Sequence, residues 1–263
     1  MLRRRHGLGS NIVRVAAVGD SFTEGLGDED KDGNLIGWAD RVALGLAEHL
    51  DEPVYYANFA IRGRLLEPIA TEQIDAALAL NPKPDMILLN GGGNDMMRPR
   101  FQMERILQFA QRAIDACQEA GVRLVIVTGG LPTPGLPLAK RMTRLGHAYL
   151  AAVQDLCERN GVELIVNWND TAFPDRRNWS DDRLHLNPTG HARVAANVLT
   201  ALGHPTDPPA PGDEIPAPTF RDQVRYTRVH VLPFIGRRLT RRSSGDGHLP
   251  KYPDWTQLHV TPT

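Results

Sequence analysis

The chain has 263 residues, of which 41% are hydrophobic and 23% are charged, an ordinary composition for a protein that buries a sizeable core. Its formal net charge of −1 gives no overall field that would recruit nucleic acid or a membrane surface. No apolar run approaches the ~18 residues that a transmembrane helix requires. We therefore expect no nucleic-acid partner and no stable insertion into a membrane.

The beginning of the sequence, MLRRRHGLGSNIVRVAAVGDS, has arginines like a signal peptide, but its apolar segment is short and contains Arg14. We interpret it as an unstructured tip followed by a first strand. The two cysteines, Cys117 and Cys157, both fall within helical patterns, which favours free packed thiols over a disulfide. Free thiols are typical of a reducing compartment, so a cytoplasmic location is the default expectation.

Five short apolar runs alternate with longer segments of helical periodicity. The predicted strands cover residues 12–19, 53–60, 85–92, 122–130 and 162–168, and the predicted helices cover 37–50, 66–80, 101–120, 138–160 and 188–202. Several runs are apolar at consecutive positions, as in parallel strands covered on both faces. The alternation predicts an α/β fold, a three-layer αβα sandwich around a five-stranded parallel sheet, for which we expect the flavodoxin-like order 2-1-3-4-5.

The composition changes at Gly203. Six prolines between residues 205 and 218 favour an extended chain that cannot continue a helix. Residues 220–242 then carry seven arginines and one aspartate. We therefore predict a main domain over residues 12–202 and an extension over residues 203–263, made of a Pro-rich linker and an Arg-rich segment.

Two interpretations of the Arg-rich segment stay open. Its apolar residues interleave with the arginines, which favours a strap that packs on the main domain while the arginines stay solvated. The apolar residues of such a strap are Val229, Val231, Leu232, Phe234 and Ile235. The alternative is a basic platform for an anionic substrate, a membrane surface or a partner.

Polar residues follow four of the five predicted strands. Ser21 follows the first, Asn58 and Gly63 the second, and Asn94 the third, while Asp182 and His185 follow the fifth. In an open parallel sheet, ligands bind beyond the carboxyl ends of the strands. A serine, a histidine, a carboxylate and hydrogen-bond donors in one place are the groups that acyl transfer requires. Gly19-Asp20-Ser21 alone would equally suit an ordinary turn.

Four blocks, GDSFTEG, NFAIRG, GGGND and DDRLHLN, resemble those of the GDSL/SGNH hydrolase superfamily in order and approximate spacing. The resemblance covers residues 13 to about 202. It implies that Ser21 is a nucleophile, His185 its base and Asp182 the acid of a D-x-x-H pair. It also implies an oxyanion hole made by the backbone N–H groups of Ser21 and Gly63 and the side-chain amide of Asn94. The segment VLPFIGRRLTRRSSGDG is similar to the extension of actinobacterial members.

The expected activity is therefore that of a serine esterase that acts through an acyl-enzyme intermediate on a small-molecule ester or an acylated sugar, with no cofactor and no metal. An acyltransferase or a carbohydrate O-deacetylase could use the same residues, and a catalytically silent binding module is a further alternative. The pattern G-x-S-x-G is absent around Ser21, which disfavours the usual α/β-hydrolase lipase fold.

Three neighbouring residues have competing interpretations. Asp181 rivals Asp182, although the D-x-x-H spacing favours Asp182. His191, in the last predicted helix, is interpreted as a structural or surface histidine rather than a second base. Asp20 is interpreted as a residue that supports its loop through backbone hydrogen bonds.

Two loops are expected to border the site. Residues 28–39, DEDKDGNLIGWA, place acidic residues at calcium-loop positions, but Ala39 stands where the bidentate glutamate belongs, so we favour an acidic loop over a cation site. The segment TGGLPTPGLPLAK, residues 128–140, is a candidate wall for an acyl group, with Leu136 and Leu138 as its apolar side chains.

Overall fold

The computed structural model describes residues 13–131, 139–210, 212–213, 219–232 and 244–258. Its elements, numbered in chain order, are β1 (Val13–Val18), α1 (Ser21–Glu24), α2 (Trp38–Leu50), β2 (Val54–Asn58), α3 (Leu66–Pro68), α4 (Ile74–Leu78), β3 (Met86–Leu89), α5 (Gly93–Met96), α6 (Met103–Ala120), β4 (Arg123–Val127), α7 (Ala139–Asn160), β5 (Glu163–Ile165), α8 (Pro188–Ala201), α9 (Phe220–Tyr226) and β6 (Tyr252–Leu258). A π-helical turn, Ile69–Gln73, joins α3 to α4, and another, Thr227–Val231, follows α9.

The five predicted strands form one parallel sheet, and their predicted order is confirmed. The order in the sheet is β5-β4-β3-β1-β2-β6. In register, Ala16 of β1 lies between Ala57 of β2 and Ile87 of β3. Successive strands are added to one side of β1 as far as β2 and to its other side from β3 onward, and this reversal of strand order leaves a crevice beyond the carboxyl ends of β1 and β3.

A sixth strand differs from the five-stranded prediction. Residues 252–258, YPDWTQL, pair antiparallel with β2, so that Val54 lies opposite Leu258 and Asn58 opposite Tyr252. This segment contains a proline and polar residues and lacks the apolar run of the other strands. The segment pairs with the side of β2 that β1 leaves free, although the two are far apart in the sequence. Pairing that depends on such a distant partner produces no local sequence pattern that would predict a strand.

A partly buried ion pair holds this returning segment in place. The Lys251 ammonium group donates to Asp40 Oδ2 at 2.7 Å and to the backbone carbonyl oxygens of Glu24 and Leu35 at 2.8 and 3.1 Å. Its side chain is 16% exposed, and that of Asp40 is 9% exposed. The C-terminal strand is therefore tied to α1, α2 and the loop between them.

Two layers of helices cover the sheet, as the consecutive apolar runs predict. In β1, Val15 and Ala17 pack in a cluster with α2 and α8, while Ala16 and Val18 pack in a second cluster with α4, α6 and α7. All four side chains are fully buried. Alternation of side chains along each strand thus gives the sheet two cores and confirms the αβα sandwich.

The Arg-rich segment begins as α9, and Tyr226 is its buried residue. The strap interpretation is wrong for Val229 and Leu232, which are 55% and 56% exposed. Phe234 and Ile235 lie outside the described residues, and so does the side chain of Val231. Residues of α9 contact the main domain through polar and aromatic groups rather than through an apolar stripe.

Cys117 and Cys157 are buried free thiols, as predicted. Burial raises the pKa of both to about 11, so they stay protonated and unreactive at neutral pH. In the described part of the chain, no helix is both long enough and apolar enough to cross a membrane.

Candidate active site

A cavity of about 460 Å³ lies at the carboxyl ends of β1, β3 and β4. Its wall includes all five predicted site residues, Ser21, Gly63, Asn94, Asp182 and His185. These residues come from four segments that each follow a strand, and they span more than 160 positions of the sequence. The sheet therefore gathers them into one place, as the strand-end argument predicts.

Asn58 is in the interior instead. It is fully buried, and its side-chain amide donates to the Thr23 carbonyl at 3.1 Å and to the Tyr56 hydroxyl at 2.8 Å. Its amide oxygen accepts from the Ala60 N–H at 2.9 Å. This asparagine braces the turn after β2 from inside the fold.

Local geometry holds Ser21 at the start of a single helical turn. Asp20 caps α1 because its side chain accepts from the Phe22 N–H at 3.1 Å, and Gly25 ends the turn in the left-handed region. The Ser21 hydroxyl oxygen lies 3.0 Å from His185 Nε2. An acceptor nitrogen at that distance is within reach of the hydroxyl proton.

His185 is oriented by Asp182 on its other side. Its Nδ1 lies 2.6 Å from Asp182 Oδ2, and Asp182 Oδ1 accepts from the backbone N–H groups of Leu184 and His185 at 2.9 and 3.0 Å. Ser180 adds a hydroxyl donor to Oδ1 at 2.7 Å. Asp181 is exposed, so the carboxylate beside the imidazole is that of Asp182, as the D-x-x-H spacing predicts.

The same hydrogen bonds keep Asp182 ionised. Burial raises the pKa of this carboxyl, but the His185 ring and the backbone N–H groups outweigh that effect and hold the pKa below its ordinary value. An ionised Asp182 accepts the Nδ1 proton of His185. This tautomer leaves Nε2 as the nitrogen that faces the Ser21 hydroxyl.

Gly63 and Asn94 line the same cavity as Ser21. Gly63 has a φ of +75°, a left-handed backbone that favours glycine. The Asn94 side-chain N–H₂ group donates to Asp20 Oδ2 at 2.9 Å and to the Arg64 carbonyl at 3.0 Å. Asp20 therefore supports the Asn94 side chain as well as its own loop, and burial raises the pKa of Asp20 to about 6.

An ion pair that the sequence motifs do not reveal joins α1 to the loop that carries Gly63. Glu24, at the end of α1, accepts from the Arg62 guanidinium at 2.7 Å and from the Arg62 backbone N–H at 2.7 Å. The Glu24 side chain is only 7% exposed. The pair fixes Ser21 and Gly63 relative to each other, because each lies within three residues of a partner in the bridge.

Residues of α9 brace the turn between Asp182 and His185. The Tyr226 hydroxyl donates to the Asp182 backbone carbonyl at 3.2 Å, and the Arg183 guanidinium lies 4.0 Å from the centre of the Tyr226 ring. Arg183 is a non-glycine residue at φ +60°, and it also donates to Gln223 Oε1 at 3.3 Å. Sequence reasoning missed these contacts, because nothing local links a loop to a tyrosine more than forty positions later.

The acidic loop after α1 is held by the protein itself. The Asp28 carboxylate accepts two hydrogen bonds from Arg41, at 2.9 and 3.0 Å. Asp30 accepts from the backbone N–H groups of Asp32 and Asn34, both at 2.8 Å. Within the described ranges, no group of three or more His, Cys, Asp or Glu residues could hold a metal ion.

His191 lies close to the site but within the core. It is fully buried, its Nδ1 accepts from the Trp38 N–H at 3.2 Å, and its Nε2 donates to the Leu26 carbonyl at 3.1 Å. Burial lowers its pKa from 6.5 to about 3. This histidine is a neutral structural residue that links α8 to α2 and to the loop after α1.

The buried neutral His191 predicts a pH dependence of stability. Between pH 6.5 and about 3, the unfolded chain binds a proton at this residue and the folded chain does not. The contribution of His191 to the free energy of unfolding is therefore complete above pH 6.5 and decreases as the pH falls below that value. At about 1.4 kcal/mol per pKa unit, the total decrease is a few kcal/mol. We expect His191→Gln to destabilise the protein at pH 7. We also expect its free energy of unfolding to fall less than that of the wild type as the pH is lowered from 6.5.

Chemical denaturation of both proteins at pH 4.5, 5.5 and 6.5 measures the effect as the difference between their curves. The contribution of Asp20 to the pH dependence is the same in both proteins and cancels in that difference. Its raised pKa of about 6 would otherwise act with the opposite sign. His248→Gln, at an exposed position, is the matched control, and its free energy of unfolding should depend on pH as that of the wild type does. Parallel pH curves for wild type and His191→Gln would contradict the assignment.

Comparison with known proteins gives a consistent result. The model of the GDSL-like lipase/acylhydrolase family matches residues 17–193. An uncharacterized protein of Bacillus subtilis (strain 168), YpmR, is 31% identical over 234 residues, covering 72% of this chain and 81% of the relative.

Solved structures share the fold at low identity. The esterase EstA from a Pseudoalteromonas species is 17% identical with a TM-score of 0.55, covering 72% of this chain and 96% of that one. A catalytic mutant of the acetylxylan esterase Axe2 from Geobacillus stearothermophilus is 16% identical with a TM-score of 0.60, covering 73% and 94%. The family match extends over most of the residues that build the sheet and its cavity, and the chain is accordingly a serine hydrolase that belongs to the GDSL-like lipase/acylhydrolase family.

Proposed function

We propose that the chain hydrolyses a carboxylic ester through an acyl-enzyme intermediate, with Ser21 as nucleophile, His185 as general base and Asp182 as the acid that orients it. The observation that carries the proposal is the unbroken hydrogen-bonded path from the Ser21 hydroxyl through the His185 ring to Asp182, with distances of 3.0 and 2.6 Å. A serine hydroxyl becomes a useful nucleophile only when an adjacent base takes its proton.

In the acylation step, the Ser21 oxygen attacks the ester carbonyl carbon while its proton moves to His185 Nε2. The carbonyl electron pair moves onto the oxygen and forms the tetrahedral oxyanion. Collapse of this intermediate breaks the bond to the leaving alcohol, which receives the proton from Nε2. Water then attacks the acyl-enzyme, gives its proton to the same nitrogen and releases the acid, and Ser21 regains its proton.

We assign stabilisation of the oxyanion to hydrogen bonds from the backbone N–H groups of Ser21 and Gly63 and from the side-chain amide of Asn94. Both Asn94 amide hydrogens already point to acceptors, Asp20 and the Arg64 carbonyl. Donation to an oxyanion therefore requires one of these hydrogen bonds to be shared or exchanged when substrate arrives. A donor of this kind is worth about 10²- to 10³-fold in kcat.

A fluorophosphonate probe tests the proposal, because it phosphonylates only an activated serine. We expect one probe per chain, on the peptide that contains Ser21, together with release of p-nitrophenol and free acid from p-nitrophenyl esters. Ser244 also lines the cavity, so Ser244→Ala is the matched control and should keep full labelling. Labelling at Ser244, or no labelling of the folded protein, would overturn the proposal. Transfer of the acyl group to added alcohols in place of acid release would indicate an acyltransferase.

A further inference from the structure

We propose that the cavity beside Ser21 is a pocket for an aliphatic acyl chain of medium length, and that one face of α7 forms its far wall. The inference rests on the proposed function and names its substrate class. The cavity reaches from Ser21 and His185 to Ile126, Leu150 and Val153. One end of the space is therefore polar and reactive, and the other end lies among core residues.

The α7 wall follows from helical periodicity. Met142, Gly146, Leu150 and Val153 line the cavity at spacings of four, four and three residues, which places them on one face of the helix. Met142, Leu150 and Val153 are 6%, 7% and 2% exposed. Side chains this deeply buried that still face open space describe the interior of a pocket rather than a surface groove.

Gly146 allows an aromatic ring to complete the wall. A Cβ atom at this position would collide with the Trp168 indole, so glycine lets the ring lie directly against α7. The indole is 8% exposed, and its N–H donates to His147 Nδ1 at 3.3 Å, which leaves the ring as an apolar surface toward the cavity.

Polar side chains near the far end are engaged within the protein. Thr128 Oγ1 accepts from the backbone N–H groups of Asn167 and Trp168 at 2.9 and 3.1 Å. The Asn90 amide donates to the Val127 carbonyl at 2.7 Å. These contacts occupy the Thr128 oxygen and one N–H of Asn90, which favours a hydrocarbon over a sugar at that end, since fewer polar groups remain for sugar hydroxyls.

The cavity volume favours an acyl chain of medium length over an acetyl group. At about 30 Å³ for a group of the size of a water molecule, the cavity of about 460 Å³ holds about fifteen such groups. The reacting carbonyl and part of the leaving group occupy some of this space, which leaves room for an acyl chain of about eight to ten carbons. An acetyl group would leave the apolar end empty. The candidate wall residues Leu136 and Leu138 lie outside the described residues, whereas Thr128, Gly129 and Gly130 line the cavity.

A series of p-nitrophenyl esters from acetyl to palmitoyl tests the inference. Each buried methylene should raise kcat/KM by about fourfold, so octanoyl or decanoyl esters should exceed acetyl by about 100-fold or more, and longer chains should decline. Hydrolysis of the acetyl ester with no gain from longer chains would overturn the acyl pocket and leave the proposed function standing. Loss of hydrolysis across the whole series would count against the proposed function.

Variants of α7 give the sharper comparison. Val153→Phe fills the far end, and we expect the ratio of decanoyl to acetyl kcat/KM to fall at least about tenfold. Ala151→Phe adds a ring of the same kind on the exposed side of the helix and should keep the wild-type ratio. An unchanged ratio in folded Val153→Phe would overturn the inference.

Ligand binding to a variant that lacks the nucleophile tests the acyl pocket independently of catalysis. Trp168 and Trp179 both line the cavity, so decanoate bound to the Ser21→Ala variant should change the tryptophan fluorescence and acetate should not. This measurement stays decisive if Val153→Phe fails to fold. No decanoate response at concentrations that remain below its micelle formation would overturn the acyl pocket.

Discussion

Replacing Ser21 by alanine is expected to lower kcat for ester hydrolysis by about 10⁴-fold or more. The substitution removes the atom that would attack the carbonyl, and the residual rate would come from the cavity and its oxyanion donors alone. Ser21 is at the first position of α1, and its capping contact comes from Asp20, so the fold should survive the change. Steady-state kinetics on a p-nitrophenyl ester measures the loss, and thermal unfolding of both proteins provides the control. Full activity in a folded Ser21→Ala protein would remove the mechanism.

Replacing His185 by alanine is expected to cost nearly as much. Without the imidazole, nothing 3.0 Å from the Ser21 hydroxyl takes its proton, and the leaving alcohol loses its proton donor. Because the two residues act on one proton, the double variant Ser21→Ala/His185→Ala should be little slower than either single variant.

His185→Gln is the matched variant for this test, since glutamine keeps a polar side chain of similar length but cannot act as a base near neutral pH. It should be almost as slow as His185→Ala. Two independent losses that multiply in the double variant would show that Ser21 and His185 do not act on the same step. Retained activity in His185→Gln would show that the imidazole serves only as a hydrogen-bond partner.

The five parallel strands and the meeting of the site residues could be predicted, because both follow from short-range patterns. Consecutive apolar residues such as Val15 and Ala16 mark a strand that is covered on both faces. The loops after such strands meet at one side of the sheet. The D-x-x-H spacing also favours Asp182 over Asp181, and in the structure Asp182 is the carboxylate that accepts from the backbone N–H groups of Leu184 and His185.

Contacts made by the C-terminal extension could not be predicted. The hydrogen bond from Tyr226 to the Asp182 carbonyl and the ion pair between Lys251 and Asp40 join residues 44 and 211 positions apart. Neither contact leaves a periodic pattern in the sequence. The same is true of the wall between Gly146 and Trp168, where a glycine in a helix matters only because of the ring that approaches it.

The pairing of β6 with β2 also bears on the solubility of the protein. Without residues 252–258, the outer side of Val54–Asn58 would present a row of unpaired backbone groups, the kind of edge that recruits strands from other molecules and starts aggregation. β6 takes that outer position itself, and it carries Pro253, which has no N–H group, and the charged Asp254. Both features discourage a further strand from adding, so the extension ends the sheet in a form that resists self-association.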